Sequence, residues 1–123
     1  MNKIISLFLL SVISVFGFEE LNMDNFEAKI KDKNVIVDFY APWCPPCKII
    51  ANNIEDFATK KPKNVEIYKV NIDNELPLAK KYGVSKLPTL VYFKNGKPIK
   101  EYVGVLSVDE LQKHQKEISN NIT

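Results

Sequence analysis

Hydrophobic residues follow two periods along the chain, and these periods predict its secondary structure. Runs rich in β-branched and aromatic residues are typical of strands. They span residues 35–40, 65–72 and 89–93. Because the first run is apolar at nearly every position, it indicates a strand covered on both faces of a parallel sheet. Residues 19–21 are expected to form a short first strand. Asn95-Gly96 is typical of a hairpin turn, so residues 98–103 are expected to return as an edge strand that begins near Pro98.

Apolar residues between these runs recur every three or four positions, which predicts amphipathic helices. The first is expected after Asn22 or Asp24, either of which can cap it, and ends near Lys31. The second carries its inner face on Cys47, Ile50, Ala51, Ile54 and Ala58.

Two further helices follow. Pro77 and Gly83 bracket a short one, and Ser107 with Glu110 forms a capping box that opens the last. The last helix is expected to turn Val108, Leu111 and Ile118 inward. The resulting order, β-α-β-α-β-α-β-β-α, implies a mixed sheet with helices on both faces.

The amino end has the pattern of a secretory signal. Lys3 precedes an apolar run over residues 4–16, and residues 15–17 are small enough for cleavage after Gly17. We therefore predict a signal peptide over residues 1–17 and a mature domain over residues 18–123. The alternative is an uncleaved membrane anchor, for which the run is short because a spanning helix needs about 20 residues.

The composition bounds the function. A chain of 123 residues with 46% hydrophobic content is long enough for one domain with one core. Its formal net charge of +2 is spread without a basic block, so nucleic acid is not an expected partner.

Trp43-Cys44-Pro45-Pro46-Cys47 contains the only two cysteines and the only tryptophan of the chain. Two thiols three positions apart at a helix start lie on one face, close enough to form a disulfide. If Cys44 is the N-cap, both prolines occupy positions whose amide groups would lack intrahelical partners. The Cys47 amide can then point at the Cys44 sulfur, and the helix dipole favours a thiolate there. Cys44 is the predicted nucleophile and Cys47 the resolving thiol.

Two other interpretations of the cysteines are weaker. A structural disulfide closing so short a loop would constrain the unfolded chain little. A structural zinc ion needs four ligands, and the only histidine, His114, belongs to a different predicted helix. We therefore expect no metal and no cofactor, and we expect His114 to be a surface residue.

From residue 19 to residue 118 the chain resembles a thioredoxin. The segments that carry the resemblance are 37–48, 70–73, 82–84 with 87–90, 93–97 and 103–107. The resemblance implies an α/β thioredoxin fold, with a central mixed β-sheet and helices on both faces.

The resemblance also implies a substrate groove beside the Cys44-Cys47 redox-active disulfide. Pro88 would be cis and face the disulfide, presenting the Leu87 backbone for pairing with a substrate strand. Without the resemblance, a trans proline is the default. The groove would be lined by Trp43, Leu87, Pro88, Gly104 and Val105, and Gly104 would let a substrate backbone approach closely.

Asp38 is the polar exception in an apolar run. One interpretation is that it reaches solvent or caps a neighbouring group. The resemblance implies instead that it is buried beneath Cys47, where it accepts and donates the proton that activates this thiol, with Lys69 as its partner. Burial disfavours a carboxylate, so we predict a raised pKa for Asp38.

The chain departs from the usual thioredoxin pattern at two positions. Pro45 stands where glycine is usual, and Asn52 stands where most members have a helix-kinking proline, so a straighter helix is expected. Both departures leave the redox potential open.

We predict a thiol-disulfide oxidoreductase that reduces exported proteins in the periplasm or another extracytoplasmic compartment. Its expected partners are disulfide- or thiol-containing exported proteins and, as electron donor, a membrane thiol-electron transporter or a reductase. We expect a monomer without stable membrane association after signal cleavage. One alternative is a disulfide oxidant or isomerase of the same fold, and the other is a non-enzymatic subunit of a secretory or translocation complex.

Overall fold

The computed structural model describes residues 17–121. The predicted signal peptide, residues 1–17, therefore lies outside the described residues apart from Gly17.

Strands and helices follow one another in the predicted order. The elements are β1 (Glu19–Glu20), α1 (Phe26–Ile30), β2 (Asn34–Tyr40), α2 (Pro45–Ala58), β3 (Val65–Asn71), α3 (Leu76–Lys81), β4 (Thr89–Lys94), β5 (Lys97–Val103) and α4 (Val108–Asn121). Helix α1 begins at Phe26 with Asn25 as its N-cap residue, so the prediction that Asn22 or Asp24 caps it is wrong. The Asn22 side chain instead accepts hydrogen bonds from the amides of Asp24 and Asn25, in the turn that leads into the helix.

The five strands form one mixed sheet in the order β1-β3-β2-β4-β5. Strands β1 and β2 run parallel to β3, whereas β4 is antiparallel to both β2 and β5. The hairpin between β4 and β5 turns at Asn95 and Gly96, both of which have positive φ, as the sequence pattern predicts. The mixed sheet is therefore confirmed.

The core forms two layers because β2 is buried on both faces. Val35, Val37 and Phe39 pack on one side with residues of α1 and α3. Ile36, on the other side, packs with residues of α2 and α4. A strand with one buried face would alternate apolar and polar residues. Strand β2 is apolar at nearly every position because it is central in the sheet and both of its faces are buried.

Helix α2 is one continuous helix of 14 residues, and its inner face differs from the predicted one. Ala51 is exposed, so its assignment to the inner face is wrong. The buried positions are Cys47, Ile50, Ile54 and Phe57. Their spacing of three, four and three residues keeps one stripe toward the sheet, and Phe57 is a member of this stripe that the predicted inner face did not include.

Helix α4 begins with the predicted capping box. The Ser107 amide donates to Glu110 Oε1 at 3.0 Å, and the Glu110 amide donates to Ser107 Oγ at 3.1 Å. Val108, Leu111 and Ile118 all pack in the second core layer, as predicted. His114 is less exposed than predicted because its ring stacks on that of Tyr102, with the centroids 4.0 Å apart.

Among residues 17–121, none of the helices combines the length and the apolar character that spanning a bilayer requires.

Ile50 and Ile49 allow a direct test of the inner face of α2. Ile50 is 0% exposed and its neighbour Ile49 is 55% exposed. Ile50→Ala should lower the free energy of unfolding by about 2–5 kcal/mol, because it removes buried apolar contacts and leaves a cavity. Ile49→Ala, the control, should lower it by less than about 1 kcal/mol. Urea denaturation of the oxidised protein measures both, and equal losses would contradict the assigned face.

Candidate active site

The two cysteines lie where β2 gives way to α2. Cys44 is the N-cap residue of α2, and its sulfur accepts a hydrogen bond from the Cys47 amide at 3.2 Å. Pro45 and Pro46 occupy the first two helical positions. Cys44 and Cys47 form a disulfide, with their Cα atoms 5.3 Å apart. These features confirm the predicted cap and the predicted pairing.

This geometry favours a thiolate at Cys44 once the disulfide is reduced. A donor amide points at the sulfur, and the positive end of a 14-residue helix lies against it. Both interactions stabilise negative charge more than they stabilise a neutral thiol, so they favour the thiolate form of a cysteine in this position. The arrangement suits nucleophilic attack on another disulfide.

Trp43 is fixed at the rim of the site. Its side chain is 66% exposed, and its indole Nε1 donates to Asp73 Oδ2 at 3.0 Å. Asp73 is itself part of a turn in which its amide donates to Asn71 Oδ1 at 3.0 Å. Asp73 was not among the predicted site residues, although it lies in one of the segments that carry the thioredoxin resemblance. Its role in holding the Trp43 indole is evident only from the hydrogen bond in the folded structure.

The predicted groove residues Leu87, Pro88 and Gly104 come together beside the disulfide. The Leu87-Pro88 peptide bond is cis, which confirms the prediction. Leu87 packs against the small cluster that contains both cysteines. The Gly104 amide donates to the Pro88 carbonyl at 2.9 Å, which joins the two loops.

Gly104 has a φ of +97°, and no atom outside its immediate neighbours lies within 4 Å of the position that a Cβ would take. The space above it is therefore open, and the backbone conformation, not crowding, requires glycine. Val105, which follows it, is partly exposed at 41%. An approaching peptide would meet an open, apolar surface here.

Asp38 is buried in β2, with 7% of its surface exposed. Burial raises the pKa of its carboxyl group to about 7, and the positive charge of Lys69 opposes part of this rise. Its Oδ1 atom has no hydrogen-bond partner among the described residues. The interpretation that Asp38 reaches solvent is therefore wrong, and the predicted rise in its pKa is borne out.

Lys69 lies directly across from Asp38 on β3, where the two Cα atoms are register partners. Its ammonium group lies 5.6 Å from the centroid of the Tyr40 ring. The Tyr40 hydroxyl in turn donates to Glu20 Oε1 at 2.7 Å. Neither Tyr40 nor Glu20 was predicted to belong to the site. The signal that could have found Tyr40 is its position two residues after Asp38, on the same face of the strand.

Within residues 17–121, no group of three or more His, Cys, Asp or Glu residues is arranged to hold a metal ion. His114 lies on α4 and stacks on Tyr102, away from the cysteines in the fold.

Comparisons with known proteins give one consistent result. The family model described as thioredoxin matches residues 17–117. A thioredoxin of Chlamydia trachomatis is 39% identical over 99 residues, which cover 77% of this chain and 96% of that protein. Thioredoxin-1 of Saccharomyces cerevisiae is 49% identical over 74 residues, covering 60% of this chain and 71% of the yeast protein. The crystal structure of a chloroplastic thioredoxin z superposes with a TM-score of 0.76 at 28% identity, covering 87% of this chain and 98% of that one.

The raised pKa of Asp38 predicts how stability depends on pH. The folded protein binds the Asp38 proton more tightly than the unfolded chain, so the contribution of this protonated group to stability is fully present below pH 3.8 and is lost as the pH rises to about 7. Asp38→Asn should remove this loss and stabilise the protein above pH 7 by a few kcal/mol, since one pKa unit corresponds to about 1.4 kcal/mol. Urea denaturation of the oxidised protein between pH 4 and about pH 8 measures it. The same pH dependence in Asp38→Asn as in the unsubstituted protein would contradict the burial of a titrating acid.

Proposed function

The chain belongs to the thioredoxin family of thiol-disulfide oxidoreductases, and on that premise we propose that it reduces the disulfides of exported proteins. The observation that carries the chemistry is the hydrogen bond from the Cys47 amide to the Cys44 sulfur at the start of α2. It makes Cys44 the attacking sulfur and leaves Cys47, one turn into the helix, to complete the exchange.

The proposed reaction has two exchange steps. The Cys44 thiolate attacks one sulfur of the substrate disulfide, that bond breaks, and the other substrate sulfur leaves as a thiolate that takes up a proton. A mixed disulfide then joins Cys44 to the substrate. The Cys47 thiolate attacks the Cys44 sulfur, which releases the second substrate thiol and forms the Cys44–Cys47 disulfide. Two electrons have passed from the protein to its substrate.

Asp38 is proposed to take the proton from Cys47 in the second step. A carboxyl group whose pKa lies at about 7 is partly ionised near neutral pH, so it can both accept a proton and return one. Lys69 is proposed to keep the carboxylate form accessible, because its positive charge opposes the effect of burial. The buried position of Asp38 supports this role, since an exposed carboxyl group would be ionised throughout the neutral range and would be a weak base.

The proposed substrate site is the surface formed by Trp43, Leu87, Pro88, Gly104 and Val105. Its open, apolar character and the contact of Leu87 with the cysteine cluster support this assignment. An extended substrate segment would pair with the Leu87 backbone and so bring its disulfide to Cys44.

Export is proposed from the amino-terminal sequence. Lys3, the apolar run over residues 4–16 and a cleavable Gly17 form a signal-like segment, and the family match begins only at residue 17. The mature enzyme would work in the periplasm or another extracytoplasmic compartment. Since this compartment is oxidising, the Cys44–Cys47 disulfide formed in each reaction must be reduced again by a donor such as a membrane thiol-electron transporter or a reductase.

Cys47→Ser should trap the clients of the enzyme. In the source cells this variant keeps the attacking sulfur but cannot release the mixed disulfide, so exported proteins should remain covalently bound to Cys44. Non-reducing electrophoresis followed by mass spectrometry identifies them, and the same spectra should show a chain that begins at Phe18.

Cys44→Ser is the matched control, because it keeps one thiol but removes the nucleophile, and it should trap nothing. Equal trapping by both variants would contradict the assignment of the two sulfurs. Cytoplasmic clients or an intact amino terminus would contradict export with cleavage. A biological role that survives replacement of both cysteines by serine would favour a non-enzymatic subunit.

The direction of the reaction can be tested by equilibrating the cysteine pair with glutathione. A reductant should have a potential nearer to about −270 mV, the value for thioredoxin, than to about −120 mV, the value for the oxidant DsbA. Pro45→Gly restores the residue that the family usually has and measures how far Pro45 changes the potential. A value near the DsbA end would contradict the reducing role and favour a disulfide donor.

A further inference from the structure

A row of charged residues crosses three neighbouring strands on one face of the sheet. Glu20 of β1 is the register partner of Lys69 of β3, and Lys69 is the register partner of Asp38 of β2. Tyr40 stands two residues after Asp38 and therefore projects from the same face. The next strand on that side, β4, presents the apolar Leu90 to Asp38. Lys69 therefore lies between two acidic residues of this row, Glu20 on the edge strand and the buried Asp38 on the central strand.

Tyr40 is held at both ends. Its backbone belongs to the central strand, and its hydroxyl donates to Glu20 Oε1 at 2.7 Å. The ring therefore bridges from β2 over β3 to the edge strand β1. A bond of this length to a charged acceptor is among the stronger hydrogen bonds in proteins, so it limits how far the ring can move.

The Lys69 ammonium lies 5.6 Å from the centroid of this fixed ring. A lysine side chain has four rotatable bonds and a strongly hydrated head group, so it would otherwise extend toward water. An aromatic face attracts a cation at this distance. The ring thus favours conformations in which the positive charge stays near Asp38, the group on which that charge acts.

We propose that Tyr40, anchored by Glu20, is a positioning residue that holds the Lys69 ammonium beside Asp38. Tyr40 packs, like Leu87, against the cluster that contains both cysteines, but in this role it acts through Lys69 on Asp38. The inference rests on the proposed function for its catalytic importance, because Asp38 matters to the reaction only if it serves Cys47. The positioning itself is a property of the folded, oxidised protein and can be measured without turnover.

The test is the pKa of the Asp38 carboxyl group in four proteins, namely the unsubstituted full chain, Tyr40→Leu, Lys69→Met and the double variant. Carbon-13 NMR follows the side-chain carboxyl resonance of Asp38 as a function of pH. With Lys69 present, Tyr40→Leu should raise this pKa by about half a unit more than it does in the Lys69→Met background. The leucine can also change the hydration of Asp38 directly, but this effect is the same with and without Lys69. Subtracting the pKa change measured in Lys69→Met from that measured with Lys69 present therefore removes it. No difference would overturn the proposal.

Two single variants sharpen this result. Tyr40→Phe keeps the ring and loses only the bond to Glu20, so its shift should lie between those of the unsubstituted protein and Tyr40→Leu. Tyr102→Leu is the matched control, because Tyr102 is the partner of Leu90 in the same row of the sheet but stacks on His114. It should change the Asp38 pKa equally in both Lys69 backgrounds. A Lys69-dependent change as large as that of Tyr40→Leu would show that the coupling is not specific to Tyr40, and would overturn the proposal.

A measurement on the unsubstituted protein covers the case in which Tyr40→Leu does not fold. The ring current of Tyr40 should move the ε-methylene proton resonances of Lys69 upfield of those of the exposed lysines. Resonances at the same position as those lysines would overturn the proposal. If the effect of Tyr40→Leu on the Asp38 pKa does not depend on Lys69, the positioning alone is contradicted. If it does depend on Lys69 but Asp38→Asn releases the mixed disulfide at an unchanged rate, the proposed role of Asp38 is contradicted.

Discussion

The chain changes from the central strand to a helix within four residues, and the rest of the site depends on this junction. Because α2 begins immediately after Cys44, one sulfur becomes the helix cap and receives the Cys47 amide. The two prolines occupy the first two helical positions, where the amide groups would have no intrahelical partner, so their missing amide hydrogens cost the helix nothing. The motif therefore defines local structure and reactivity together. The core of β2 and the inner face of α2 keep this junction in a fixed place relative to the groove loops.

Asp38 places a carboxyl group in a buried strand, and this lowers the stability of the fold. A side chain in the middle of a buried strand would ordinarily be apolar, as Ile36 is on the same face, and would add to the stability of the core. A carboxyl group there is tolerated only because it can stay protonated or lie near a cation. The proposed role of Asp38 and the stability of the fold therefore make opposite demands at this position, which is common where an acid must exchange protons near neutral pH.

The sequence allowed most of the fold to be predicted, since strand periodicity, the hairpin turn and the capping box are local signals. The error at Ala51 has the same origin, because a spacing of three or four residues after Cys47 admits both Ile50 and Ala51, and only Ile50 is buried. The contacts of Asp73, Tyr40 and Glu20 could not be predicted in this way. Each joins elements far apart in the chain, so it depends on which elements become neighbours in the folded sheet, and a local period of hydrophobic residues does not identify these neighbours.

The two edges of the sheet have a consequence for the behaviour of the protein among other chains. One edge is β1, which has only two residues, and the other is β5, which is mostly exposed and carries Lys97, Pro98 and Lys100. A short strand, a proline and charged side chains all hinder the addition of a foreign strand. A protein that handles incompletely folded clients would otherwise risk joining their aggregates. With both edges protected, the backbone of the loop that carries Leu87 and cis Pro88 is the place that the proposed function leaves for a client to pair, so a client bound there would not extend the sheet.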